Sequence, residues 1–79
     1  MSKQIDVIFF GKIAELMNEK KIQMDNIYDT GQLLNHLKSV CPQLEQLVIS
    51  IAVNKKIISQ ETILNDGDEV AIMPPFSGG

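Results

Sequence analysis

The chain contains no arginine. Its seven basic residues are all lysines, set against ten acidic residues, for a formal net charge of −3. The lysines never gather beyond the pairs Lys20-Lys21 and Lys55-Lys56, which read as solvated turn positions. A chain without a basic patch and without the side chain best suited to phosphate and base readout is not expected to bind nucleic acid. One cysteine, Cys41, excludes an internal disulfide, and Cys41 reads as a small buried hydrophobe. One histidine, His36, leaves no partner for a Cys/His metal site, so no metal is expected. No apolar run approaches the length of a membrane span. The opening MSKQIDVIFF lacks a small-residue cleavage site, and its apolar part has the rhythm of a strand rather than of a leader peptide. The expectation is a soluble, cytoplasmic protein with no membrane partner.

Seventy-nine residues make one domain near the lower size limit for a single unstapled core. The apolar fraction of 44% is that of a globular chain. Ile5 to Phe10 is β-branched and aromatic, which suits a strand, and Gly11 interrupts it. Ile13, Leu16 and Met17 then fall at offsets of three and four, a short helical face. Residues 21–25 alternate polar and apolar, as a second strand antiparallel to the first would.

Asp29 or Thr30 is suited to cap a helix. Leu33, Leu34, Leu37, Val40 and Cys41 follow as one apolar stripe, and Pro42 ends the pattern. A connector over 43–48 leads to an alternating strand, Ile49 to Val53. Asn54-Lys55 makes a turn, and Lys56 to Ser59 returns as a hairpin. Thr62-Ile63-Leu64 is expected to plug the core from a turn. Asn65-Asp66-Gly67-Asp68 is a further turn, Glu69 to Met73 is the last strand, and Pro74-Pro75 stops it. A sheet with one long helix across one face is an α+β architecture. Apolar residues on both faces of the first and last strands make a central, adjacent pair the expectation, which matches a β-grasp roll; periodicity alone does not give the topology. The expected division is a domain over 1–73 and an extended tail over 74–79.

Alternation also proposes a surface. If Ile5, Val7 and Phe9 face the helix, then Ile8 and Phe10 face away. By the same parity Val70, Ile72 and Ile58 point inward and Ala71, Met73 and Ile57 outward. Phe10, Ile57 and Met73 are therefore expected to form an apolar patch on the open sheet face, beside the root of the tail. Such a patch on a small domain marks an interface.

Three stretches, VIFFGKIAEL (7–16), IAVNKKII (51–58) and DGDEVAIMPPFSGG (66–79), resemble the small subunit of molybdopterin synthase, a family of ubiquitin-like sulfur carriers. The resemblance runs in order through nearly the whole chain. Its most specific part is DGDEVA, two residues, PP, two residues and GG. One departure is Ala14, where the family often has Arg before the Glu of its first helix; here Glu15 follows Ala14. The sulfur carrier of thiamine biosynthesis and ubiquitin-like protein modifiers share the fold and the Gly-Gly ending and are the alternative functions.

The resemblance implies that Gly79 is adenylated with ATP by a ubiquitin-activating-type adenylyltransferase and converted to a thiocarboxylate. The tail then enters the large catalytic subunit of the synthase and donates sulfur to cyclic pyranopterin monophosphate in molybdenum cofactor biosynthesis. The implied assembly is a heterotetramer of two small and two large subunits. The small subunit binds no cofactor and has no active site of its own. The family docks both partners through the open sheet face. The residues make physical sense of this chemistry. An α-carboxylate, with a pKa of roughly 3.5, is ionised at neutral pH and able to attack the α-phosphorus of ATP. Gly78 and Gly79 carry no Cβ, so they can thread a narrow channel, and Ser77 is expected to thread it with them. Ordering six tail residues costs on the order of 6–12 kcal/mol, and the fixed φ of Pro74 and Pro75 lowers that cost. Burying Phe76 against a partner would return about 1.5–3 kcal/mol.

Overall fold

The computed structural model describes residues 3–75. Period-two alternation builds its first element. In β1 (Gln4–Phe9), Ile5, Val7 and Phe9 are buried while Gln4, Asp6 and Ile8 lie on the opposite face. A short helix, α1 (Gly11–Met17), buries Ile13 and ends at Asn18 in the left-handed region. Strand β2 (Lys21–Asp25) returns antiparallel to β1, with Ile5 opposite Met24 and Val7 opposite Ile22.

Helix α2 (Thr30–Val40) starts where its capping chemistry begins. The Asp29 carboxylate accepts from the Gln32 backbone N–H at 2.7 Å, and the Gln32 side-chain carbonyl accepts from the Tyr28 N–H at 2.8 Å. Thr30 is buried, and its hydroxyl oxygen accepts from the Thr62 N–H at 2.9 Å. Leu33, Leu37 and Cys41 are buried along one stripe, with Leu34 half-buried. Val40 departs from the expected stripe and is exposed, while Cys41, the next residue, is buried. Pro42 opens a 3-10 turn (Pro42–Gln46) that inserts Leu44 into the core.

Strands β3 (Ser50–Val53), β4 (Lys56–Ile58) and β5 (Glu69–Met73) complete a mixed five-stranded sheet of order β2-β1-β5-β3-β4. The first and last strands are adjacent and parallel, and the other pairings are antiparallel. This is the α+β, β-grasp arrangement expected from the sequence, with α1 and the 3-10 turn added to the one long helix. The core joins Ile5, Val7, Phe9, Val70 and Ile72 of the sheet to Leu33 and Leu37 of α2. Leu64 plugs this core as expected, whereas its neighbour Ile63 is exposed: it pairs in an isolated bridge with Asp29, and its side chain points to solvent. Among the described residues no helix is long and apolar enough to cross a membrane.

The β3–β4 hairpin turns on two residues, Asn54 (φ 49) and Lys55 (φ 72), the geometry of a type I′ turn. The Asn54 side chain locks this turn onto β5. Its Nδ2 donates to the Asp68 carboxylate at 2.9 Å, and its Oδ1 accepts from the Glu69 N–H at 3.0 Å. Asp68 also accepts from the Asn65 N–H at 2.8 Å, while Asp66 accepts from the Gln4 N–H at 2.8 Å. The acidic turn before β5 is thus a junction between the start of β1 and the tip of the hairpin. Lys55 gains no such bond for its left-handed backbone, a conformation that glycine adopts without steric cost. Relief of a left-handed cost of about 1–2 kcal/mol outweighs the entropic cost of glycine of about 0.5–1 kcal/mol, so Lys55→Gly should raise unfolding stability by about 0.5–1 kcal/mol in denaturant titration.

Candidate partner surface and tail root

The strand registers place the open-face residues in rows. One row runs Ile8, Ala71, Ala52, Ile57 across β1, β5, β3 and β4. The next row sets Met73 opposite Ser50. Phe10 continues β1 into that row, its N–H donating to the Ile72 carbonyl at 3.0 Å. The row on the other side is polar, with Asp6 opposite Glu69. There Lys21 Nζ lies 3.8 Å from the Asp6 carboxylate and Gln23 Nε2 donates to Asp6 at 3.2 Å. The result is an apolar field with a polar, mainly acidic margin at the end away from the tail.

Each of the three patch residues expected from alternation lies on this face. Phe10 is 48% and Ile57 59% exposed, and Met73 is half-buried. Opposite parity puts Val70 and Ile72 fully inside. Sequence reasoning missed Ala52, which lies between Ala71 and Ile57 and is buried. Its place was implicit in the alternation of β3.

The tail leaves β5 through Pro74 and Pro75, both exposed. The turn between β1 and α1 forms one wall of this exit. Gly11 has φ +58, and a Cβ added there would stand 3.1 Å from Pro74 Cγ. A side chain at Gly11 would both strain the backbone and press on the first tail proline. The expected site residues Phe76, Ser77, Gly78 and Gly79 lie outside the described residues. Away from this face, Cys41 is buried with its Sγ 3.4 Å from Gln43 Oε1, and His36 is exposed on α2. Ala14 is half-buried on α1 beside the exposed Glu15.

A protein-family model described as the ThiS family matches residues 7–79. The chain belongs to the ThiS family. Among relatives of this ThiS-family chain, the molybdopterin synthase sulfur carrier subunit of Dictyostelium discoideum is 36% identical, covering 100% of both chains. A chain in the solved protein-protein complex of subunits 1 and 2 of molybdopterin-converting factor from Helicobacter pylori superposes with a TM-score of 0.70. It is 29% identical and covers 96% of this chain and 99% of its own. The solution structure of small archaeal modifier protein 1 from Methanosarcina acetivorans reaches a TM-score of 0.80 at 23% identity, covering 100% of this chain and 99% of that one. At that identity the likeness is one of fold.

The division of the strands into two faces has a direct energetic consequence. Charging the open face, by Phe10→Glu or Ile57→Glu, should change unfolding stability by no more than about 0.5 kcal/mol, as for other surface substitutions. Ile72→Ala, one row inward and fully buried, should cost about 2–5 kcal/mol. Denaturant unfolding of the three variants checks both halves.

Proposed function

We propose that this chain is the sulfur carrier subunit of molybdopterin synthase, with residues 1–73 as the folded handle and 74–79 as the reacting tail. The observation that carries this reading is the apolar open face around Phe10, Ile57 and Met73, which ends beside the root of the PPFSGG tail. The names of the ThiS-family relatives support the choice of pathway over thiamine biosynthesis. The complex of subunits 1 and 2 of molybdopterin-converting factor supports a large-subunit partner.

In this mechanism the Gly79 carboxylate attacks the α-phosphorus of ATP on a ubiquitin-activating-type adenylyltransferase, and pyrophosphate leaves. Carboxylate oxygen is a poor leaving group, and the mixed anhydride with AMP makes the carbonyl carbon reactive. A sulfide-level sulfur nucleophile from a donor then attacks that carbonyl carbon; the C–S bond forms as the C–O bond to AMP breaks, AMP leaves, and the terminus is a thiocarboxylate. The carrier next docks its open face on the large subunit. Pro74 and Pro75 direct the tail, Phe76 anchors it, and Ser77, Gly78 and Gly79 thread the channel, delivering the sulfur to cyclic pyranopterin monophosphate. The pterin product carries a dithiolene with two sulfurs and each tail delivers one, so two charged tails are consumed per product. The assembly is a heterotetramer of two small and two large subunits. The carrier binds no cofactor of its own, and its need for ATP and these partners makes the cytoplasm its place of work.

The tail gives the sharpest test. Deleting Gly79, or adding one residue after it, should abolish pterin conversion in a reconstituted synthase assay while circular dichroism remains that of the parent. Full conversion by the extended tail would reject the mechanism. Conjugates of the chain on unrelated proteins, with no pterin conversion, would favour the modifier reading instead.

A further inference from the structure

Six large apolar side chains stand exposed among the described residues: Phe10, Tyr28, Val40, Val48, Ile57 and Ile63. Phe10 and Ile57 belong to the open-face patch already described. Tyr28 and Ile63 sit at the opposite end of the molecule, near the start of β1, where Lys3 Nζ lies 4.8 Å from the Tyr28 ring centroid. Val40 belongs to the helical layer. Val48 remains, and at 74% it is the most exposed of the six.

Its surroundings follow from the pleat. Leu47 and Ile49 pack against the core, and Ile51 is buried on the same side. Val48 therefore shares the parity of Ser50 and Ala52, which lie on the open face. The β3–β5 ladder ends with Ser50 opposite Met73. Val48 lies two residues before Ser50, and Pro75 two residues after Met73, where these neighbouring strands have ended. β5, from which the tail departs, is flanked by the strand that leads to Phe10 on one side and the strand that Val48 precedes on the other. An apolar residue this exposed contributes nothing to the core, and its position continues the patch along the tail beyond the last strand pair.

We infer that Val48 is a contact residue for the large subunit, completing with Phe10 an apolar collar around the tail root. This rests on the sulfur-carrier reading. A partner that draws the tail into a channel must close around the point where the tail leaves the sheet. A channel mouth with apolar side chains on two sides of the entering tail fits this collar, with its basic groups left for the acidic margin near Asp6 and Glu69.

The test is binding of the full chain to the purified large subunit by calorimetry, with parent, Val48→Glu, Val48→Ser, Phe10→Glu and Ile63→Glu. Val48→Glu and Ile63→Glu change net charge equally and start from nearly equal exposure, 74% and 72%. Val48→Glu should raise Kd at least tenfold, Val48→Ser about threefold, and Ile63→Glu less than twofold, on the scale by which central apolar contacts exceed neutral surface positions. Thermal melts establish that each variant is folded, and the serine variant carries the test if the glutamate is not. The inference is overturned if folded Val48 variants bind within twofold of parent, or if Ile63→Glu loses as much as Val48→Glu. In the first case, a loss in Phe10→Glu leaves the carrier reading standing. No loss in Phe10→Glu either would remove that reading together with the inference.

Discussion

The parallel pairing of β1 with β5 is the constraint on which the rest of the molecule depends. It joins the two ends of the chain at the centre of the sheet, with Asp6 opposite Glu69 and Phe9 opposite Ile72. Parallel neighbours need a long crossover between them, and here that crossover is nearly the whole protein. The same pairing settles the faces. Val7 opposite Val70 and Phe9 opposite Ile72 are committed to the helix side, so Ile8, Ala71 and Met73 are left on the other. It also settles where the tail begins. Because β1 and β5 run the same way, Phe10 and Met73 finish together, and Pro74 leaves beside the turn at Gly11.

Fold and site are consequently separated by one residue of alternation rather than by a domain boundary. Inward residues supply stability, and outward residues are free to serve a partner. Hydrogen bonds keep that alternation in register at the far end. Asn54 ties the hairpin tip to Asp68 and Glu69, and Asp66 ties the same turn to Gln4. A one-residue slip of β5 would exchange Ile72 for Met73 in the core and destroy the patch. The acidic run before β5 thus acts on register.

Much of this was legible in the sequence because period and punctuation agree. Alternation in β1, β3 and β5, the Asp29 cap, the Asn54-Lys55 turn and Pro74 each point to one local structure, and the faces follow by parity. Where expectation failed, the cause was tertiary. Val40 falls in the α2 stripe, yet it is exposed, and the chain turns at Pro42 to insert Leu44 rather than Val40 into the core. Ile63 looked like a core plug, but the bridge to Asp29 turns it outward and leaves Leu64 to fill the space. Val48 lies in a connector with no periodic pattern of its own, so only the packing of Leu47 and Ile49 reveals its side. The close approach of Gly11 to Pro74 joins residues far apart in the chain, and no local pattern carries it.

The central claim is chemical: the terminal carboxyl of Gly79 is a reactant that acquires sulfur. Intact-mass measurement after incubation with ATP, an adenylyltransferase of the ubiquitin-activating type and a sulfur source tests it most directly. The account predicts a species heavier by about 16 Da, the difference between sulfur and oxygen on one carboxyl group, and absent when ATP is withheld. An unchanged mass, with an activating enzyme proven active on another carrier, would contradict it.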